Sequence, residues 1–302
     1  VKSRKAYFDI GIAGPLAGFV IALIIIVIAF TTLPPLEYLF RVHPEYLPLK
    51  ENYSEYVPPP GQTGVIFRFG PNLLYRFFEH VMPYDPVLYP SANEVLHYPL
   101  LMVGYMALFL TALNLLPIGQ LDGGHIVYGL FGKRKHGIIS RIVYLLFLFY
   151  AGLGFIKPGT FDFSFVGWSV AYIYFLYICL FHVKNERQTR LLIAVVIYTT
   201  QYLLIYAFPV IEGYPGWLLF AFIVGRIIGI DHPETEEDQP LDLKRKILGV
   251  LALIIFIVCI SPKPFVYETL TGKDVAEQQN TQQVTKTQQY LQDSMDEETE
   301  IL

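Results

Sequence analysis

Residues 113–131 read LNLLPIGQLDGGHIVYGLF and contain the residues that interrupt a long apolar block. Together with the preceding apolar residues, the stretch 96–131 would form a helix about 54 Å long at about 1.5 Å per residue. The hydrocarbon core of a bilayer is only about 30 Å thick. Pro117 lacks an amide proton and disfavours helix at the residue before it, and Gly119 follows closely. We therefore predict that the helix breaks at Pro117 and Gly119.

Two polar side chains flank this break, Asn114 before it and Asp122 after it. A carboxylate at membrane depth is costly and marks a functional site. Asp122 has two compatible interpretations. It would cap the helix that starts at Gly123, or it would bind a metal, because a carboxylate oxygen on a rigid helix start is a zinc ligand.

Asn114 and His125 also allow two interpretations each. The Asn114 amide would bond a carbonyl group freed by Pro117, or it would face a substrate peptide and donate to a developing oxyanion. His125 lies one helical turn after Asp122 and is a candidate second ligand. A single histidine near a helix start more commonly bonds to the backbone.

The composition indicates a membrane protein. Of the 302 residues, 54% are hydrophobic and 16% are charged, whereas soluble domains have about 25% charged residues. Both cysteines lie in apolar blocks, which excludes a disulfide-rich secreted domain. The net charge of −4, without a basic stripe, argues against nucleic acid as a partner.

Seven apolar blocks predict about seven membrane spans in an all-α, polytopic helical bundle within the lipid bilayer. A membrane helix needs about 20 mainly apolar residues. The last two blocks are the shortest and leave a partly interfacial position open. The blocks are residues 10–30, 96–116, 138–156, 163–183, 191–208, 215–230 and 247–260.

Basic clusters give these spans one orientation, because Lys and Arg in short loops prefer the cytoplasmic side. The clusters lie at residues 2–5, 133–135, 184–190 and 244–246. If every span crosses the membrane, all four clusters fall on one side. The start of the chain is then cytoplasmic, and the C-terminal tail lies outside.

Two segments lie outside the predicted bundle. Residues 31–95 are rich in Pro, Tyr and Gly and form an extramembrane or interfacial loop. Within this loop, the helical spacing of residues 72–81 fits either a helix on the membrane surface or a short helix in a solvated loop. We expect a membrane domain over residues 1–265 and a disordered tail over residues 266–302, which are rich in Gln, Thr and acidic residues.

The first span contains a face of small residues. Residues 9–19 read DIGIAGPLAGF, in which Gly14 and Gly18 are four apart, as are Ala13 and Ala17. Small residues at this spacing let helices pack closely in lipid, and we interpret the face as a packing surface without chemistry of its own. Gly123 and Gly124 would similarly let another helix or a substrate backbone come close.

AGPLAGF at residues 13–19, followed by NLLPIGQLDGG at residues 114–124, resembles the site-2 protease family. These are zinc metalloproteases that cut other proteins inside the membrane, and the likeness extends over roughly residues 1–265. The resemblance implies regulated proteolysis of transmembrane protein substrates, in the plasma membrane of a bacterium. It implies that Asp122 is the third protein ligand of Zn²⁺, and that Asn114 and Pro117 position the substrate.

The family's other two zinc ligands are the histidines of an HExxH motif, whose glutamate is the general base. No His-Glu pair occurs in this sequence, and Glu79-His80 has the reverse order. In the family the motif precedes the AGPLAGF span. Because the first residue is Val1 and not Met, we expect the motif upstream in a longer protein, and we expect this chain alone to be inactive. The remaining histidines show no ligand spacing: His43, His80, His97, His136, His182 and His232.

Two other functions stay open at this point. A non-catalytic scaffold, or pseudoprotease, would bind transmembrane segments without cutting them. A transporter would also use broken helices with polar groups near the middle of the membrane. It would need paired breaks in two repeats, however, whereas the sequence indicates one break.

Overall fold

A computed structural model describes residues 3–56, 63–82, 88–159, 162–233, 235–237 and 239–271. About 70% of the described residues are helical, which confirms the predicted all-α class. One two-stranded antiparallel sheet accompanies the helices in the described part of the chain.

The secondary structure elements follow in chain order. The α-helices are α1 (Arg4–Thr31), α2 (Glu37–Val42), α3 (Leu73–Val81), α4 (Pro99–Asn114), α5 (Asp122–Gly152), α6 (Phe163–Cys179), α7 (Arg187–Ala207), α8 (Trp217–Phe222) and α9 (Leu243–Cys259). Short 3₁₀ turns lie at Pro44–Tyr46, Lys50–Glu55, Val95–His97 and Leu180–His182, and a π-helical turn continues α8 over Ile223–Ile228. The strands are β1 (Thr63–Phe69) and β2 (Phe265–Thr271).

Within the residues that the structure describes, three helical segments are long and apolar enough to cross a membrane: α1, Phe163–His182 and α7. Shorter apolar helices lie at Pro99–Asn114 and Trp217–Ile228. Large apolar side chains on α1, α6 and α7 face outward, as lipid-facing helices require. Each of the seven predicted blocks falls on helical structure, but the count of seven spans stays a prediction.

The chain divides into two compact units. The helical unit contains Val1–Ile28, Gly70–Met82 and Val103–Pro264. The loop unit contains Ala29–Phe69, Pro83–Met102 and Phe265–Leu302. The loop unit thus includes most of the predicted loop 31–95.

Buried hydroxyl groups join the helices of the helical unit. Tyr144 on α5 is fully buried, and its hydroxyl lies 2.9 Å from the carbonyl oxygen of Cys179 on α6 and 3.0 Å from that of Ala221 on α8. A buried hydroxyl without a partner would be costly. The position of α5 between α6 and α8 is therefore fixed by polar contacts as well as by packing.

Helix α3 matches the predicted helical spacing of residues 72–81. Asn72 caps it, because its Oδ1 accepts the N–H of Tyr75 at 2.8 Å. Leu73, Phe77 and Val81 form an exposed apolar stripe along one side. An exposed stripe of this kind favours the interpretation that α3 lies on a membrane surface.

Strand β2 corrects the predicted start of the disordered tail. The tail was expected from residue 266, but Phe265–Thr271 pairs with β1, with Phe67 opposite Tyr267 in the register. The aromatic and β-branched residues of FVYETLT favour a strand, and Phe265 stacks on Phe67 with ring centroids 5.9 Å apart. The rest of the predicted tail lies outside the described residues.

Candidate active site

The predicted helix break is present. Helix α4 ends at Asn114 and α5 begins at Asp122, and Gly119 between them has a φ of +59°, which favours glycine. The Gly119 N–H donates to Ser140 Oγ at 2.9 Å, and the Ser140 hydroxyl donates to the carbonyl oxygen of Ile230 at 2.7 Å. Ser140 therefore satisfies backbone groups that the break leaves without helical partners.

Gly123 and Gly124 let the broken segment fold tightly against the first turn of α5. A Cβ at Gly123 would overlap the carbonyl oxygen of Leu115, and a Cβ at Gly124 would overlap that of Gly119. We expected another helix or a substrate to approach these glycines. The backbone that comes close is instead the chain's own loop, because the loop must turn back at the break.

Helix α1 packs beside the first turn of α5 through its glycines. A Cβ at Gly11 would lie 2.6 Å from the Cβ of His125, and one at Gly14 would lie 3.9 Å from Asp122 Oδ2. A Cβ at Gly18 would lie 3.7 Å from the hydroxyl oxygen of Thr111 on α4. Gly11 makes the tightest of the three contacts, but it lies outside the repeated small-residue pattern and could not be predicted from it.

Asp122 is the first residue of α5 and is partly buried. The N-cap residue is Leu121, and no side-chain capping bond forms, so the capping interpretation of Asp122 is wrong. Because α5 begins at Asp122, this residue lies in the first turn of the helix and not at the N-cap position. Among the residues that the structure describes, none donates a hydrogen bond to the Asp122 carboxylate. This carboxylate is available to bind a cation.

Asn114 and Pro117 lie on either side of the start of the break. Asn114 ends α4 and is exposed, whereas Pro117 is buried in the loop. The Asn114 amide forms no hydrogen bond within the described part of the chain. It therefore does not bond a freed carbonyl group, and both its donor and its acceptor face outward.

His125 contacts another histidine. Its Nδ1 lies 2.7 Å from Nε2 of His232, whose own Nδ1 lies 2.8 Å from the carbonyl oxygen of Pro233. Since a carbonyl only accepts, the Nδ1 of His232 is the donor, and its Nε2 accepts from His125. Burial lowers the pKa of His232 below its ordinary value, which supports this neutral form. The expected backbone bond of His125 is thus replaced by a side-chain bond.

The loop unit contains a different group of metal-binding side chains. His43, Glu94 and His97 each place a ligand atom within 4.8 Å of the other two. Within the described ranges this is the one group of three or more such side chains, and Asp122 does not belong to it. The sequence analysis found no ligand spacing here, because His43 lies in a separate segment. The spacing of Glu94 and His97 was the available signal.

A helical membrane protein with a broken helix beside an unpaired carboxylate is the class that this fold and site define. The model of Peptidase family M50 matches residues 1–153. Since the match covers half of the chain, the chain belongs to this family, and the resemblance to site-2 proteases is confirmed. No curated protein and no solved structure matches the chain significantly.

The matched region contains both motifs and ends just after α5. Helices α6 to α9 lie beyond it, whereas we expected the likeness to extend to residue 265. The family evidence therefore covers α1, α4, the break and α5. The later helices are described by the structure alone.

Asp122 fits one position in a zinc site of this family. It offers a carboxylate oxygen without a competing partner, and zinc accepts such a ligand beside histidine nitrogens. The sequence lacks HExxH, and a catalytic zinc site needs three protein ligands. The described residues thus offer one candidate ligand for such a site, Asp122, and not a whole set.

Proposed function

We propose that this chain is part of an intramembrane zinc metalloprotease that cuts transmembrane protein substrates in regulated proteolysis. The observation that carries the proposal is the unpaired, partly buried carboxylate of Asp122 at a helix break, in a member of Peptidase family M50. Two histidines and a glutamate from an HExxH segment, which this sequence does not contain, would complete the site. When bound, Zn²⁺ would supply a Lewis acid for peptide hydrolysis.

The surface of α1 beside Asp122 supports a place for that segment. Ala13, Gly14 and Ala17 are exposed, although Gly14 lies directly beside the carboxylate. Small exposed residues let a second helix approach closely in lipid. We propose that the helix with the HExxH motif packs on this part of α1, which would bring its histidines to Asp122.

The backbone around Asp122 is held firmly enough for a metal ligand. Gly123 and Gly124 let the loop pack tightly against α5. Ser140 accepts the Gly119 N–H of the break and donates to the carbonyl oxygen of Ile230, and both hydrogen bonds are buried. A ligand on a rigid helix start keeps its geometry when the metal binds. Asp122 would therefore need little rearrangement to reach its position.

Asn114 and Pro117 would position the substrate. A substrate helix must unwind before its peptide bond is accessible, and its freed N–H and C=O groups are costly in lipid. The exposed Asn114 amide has both a donor and an acceptor for them. Pro117 would contribute by ending α4 so that this amide stands at the edge of the break.

The multi-pass arrangement and a bacterial plasma membrane location belong to the same proposal. So does the inactivity of the chain on its own, because one carboxylate cannot retain catalytic zinc or supply the general base. A non-catalytic scaffold is the second candidate, and the absence of HExxH from the sequence favours it. Membership in Peptidase family M50 leaves the transporter alternative without support.

Replacement of Asp122 tests the proposal. In a protein that joins this chain to its HExxH segment, reconstituted in vesicles with a transmembrane substrate, Asp122→Ala should lower cleavage by more than about 100-fold. Loss of a direct ligand should exceed the roughly 10- to 100-fold effect of changes outside the ligand shell. Undiminished cleavage would contradict the assignment of Asp122 as a zinc ligand.

Asp9→Asn is the matched control. Asp9 is an aspartate on α1 that pairs with Arg245 at the surface, so its replacement should leave cleavage unchanged. A wild-type protein that binds the substrate but never cuts it would support the scaffold. These outcomes separate the two candidates.

A further inference from the structure

We propose that His43, Glu94 and His97 form a second metal site, for a divalent transition-metal ion such as Zn²⁺. All three lie in the loop unit, and the Asp122 site lies in the helical unit. The inference stands on its own geometry and does not depend on the protease proposal.

The ligand atoms are spaced as a metal ion requires. Glu94 Oε2 lies 2.9 Å from His97 Nδ1 and 3.6 Å from His43 Nε2. Zinc binds nitrogen and carboxylate oxygen at about 2.0–2.2 Å, which puts tetrahedral ligand atoms roughly 3.3–3.6 Å apart. The distance between Glu94 and His43 fits this value. The 2.9 Å distance is a hydrogen bond that His97 Nδ1 donates to Glu94, and a bound ion would replace its proton. Small side-chain rotations would place all three atoms on one ion, with a fourth position open to water.

Neighbouring side chains orient His43 and Glu94 for metal binding. Glu45 Oε1 lies 2.9 Å from His43 Nδ1, and a carboxylate accepts, so Nδ1 carries the proton and Nε2 has the free lone pair. Metal-bound histidines usually donate their other N–H to a carboxylate or a carbonyl in this way.

Glu94 is oriented by Tyr46. The Tyr46 hydroxyl donates to Glu94 Oε1 at 2.9 Å, which leaves Oε2 facing the two histidines. Ligating carboxylates are themselves hydrogen-bonded in established metal sites.

One atom of the cluster lacks the partner that a metal would provide. His43 Nε2 is buried and forms no hydrogen bond in the described structure, and its 3.6 Å distance to Glu94 Oε2 is too long for one. Buried polar atoms without partners are unusual. Glu94 is only 6% exposed, and its carboxylate already accepts from Tyr46 and His97, so His43 Nε2 is the atom that an ion would satisfy.

The site would join two distant segments of the loop unit. His43 follows α2, and Glu94 and His97 lie at the 3₁₀ turn before α4. A metal held by both segments would restrict the chain between them and stabilise the folded loop unit. Imidazole and carboxylate together favour zinc, copper, nickel or cobalt over magnesium or calcium.

Cobalt binding tests this proposal on the purified 302-residue chain in detergent. We expect one Co²⁺ per chain with the visible absorption of tetrahedral coordination, and we expect Zn²⁺ to displace it while Mg²⁺ does not. Glu94→Gln and His43→Gln should each weaken the affinity at least tenfold. Zn²⁺ should raise the Tm of the wild type and leave that of His43→Gln unchanged.

Two controls locate the site. His80→Gln replaces a histidine on α3 outside the cluster and should keep the wild-type affinity. Asp122→Ala should also keep the cobalt signal, which separates this site from the proposed protease site. Absence of tetrahedral absorption in the wild type, or equal affinity in Glu94→Gln and His43→Gln variants that retain the metal-free Tm, would overturn the proposal. A simple hydrogen-bonded His–Glu–His cluster would give that result.

Discussion

The two candidate metal-binding regions of this chain differ in what is already in place. At the helix break, the backbone is fixed by glycines and by Ser140, yet Asp122 is the one ligand that we propose there among the described residues. In the loop unit, three ligands and two supporting side chains meet, on short turns and loops. The first region is a rigid frame that needs further ligands, and the second is a ligand set that needs an ion.

This difference teaches what each kind of site shows in a sequence. A rigid frame depends on local backbone chemistry, and proline and glycine at fixed positions reveal it. A ligand set assembled from distant segments has no fixed spacing. It becomes visible when the chain folds.

The largest effect is expected from Gly123→Ala, which attacks the frame. The added Cβ would overlap the carbonyl oxygen of Leu115, and strain in a packed region costs about 3 kcal/mol. Unfolding of the chain in detergent micelles measures the loss. Gly167→Ala on α6 is the control, because nothing lies within 4 Å of a Cβ there. Equal stabilities would show that the break is not rigid.

A smaller effect is expected from Gly14→Leu. The larger side chain would cover the Asp122 carboxylate without disturbing the backbone at the helix break. Gly14 is exposed and lies beside Asp122, so a larger side chain should block the approach of the HExxH helix. In the protein that contains that helix, kcat should fall at least about tenfold while the unfolding transition of this chain stays within about 0.5 kcal/mol. Unchanged cleavage would contradict the packing of the second helix on this part of α1.

The smallest effect is expected from Tyr46→Phe in the loop unit. It removes the hydrogen bond that orients Glu94 and leaves the three ligands in place. The affinity for Co²⁺ should drop by about 10-fold, as for other contacts outside the ligand shell. Tyr56→Phe is the matched control, since no hydrogen bond of its hydroxyl occurs in the described chain. Equal affinity in both variants would leave Glu94 oriented by packing alone.

The part of the fold that could be predicted was local. The break at Pro117 and Gly119, the helical spacing of α3 and the apolar blocks all follow from residues close in sequence. It could not be predicted that Asp122 is not the N-cap residue of α5, because this depends on a shift of one residue in the start of the helix.

The long-range contacts were beyond the sequence. Strand β2 pairs with β1, which lies far from it in the sequence. Since local sequence does not reveal this pairing, the polar residues after Phe265 predict a disordered tail. The same holds for His43, whose partner Glu94 is distant in sequence. Gly11 also gave no signal, because its closeness to His125 depends on the crossing of two helices.

Zinc retention in the protein that contains the HExxH segment tests the central claim most directly. With the loop-unit site removed by Glu94→Gln, the account predicts one zinc per chain, measured by metal analysis after purification without added metal. Adding Asp122→Ala should reduce this to none, and Asp9→Asn should not. Full zinc retention in the Glu94→Gln, Asp122→Ala protein would contradict the assignment of Asp122 as a zinc ligand.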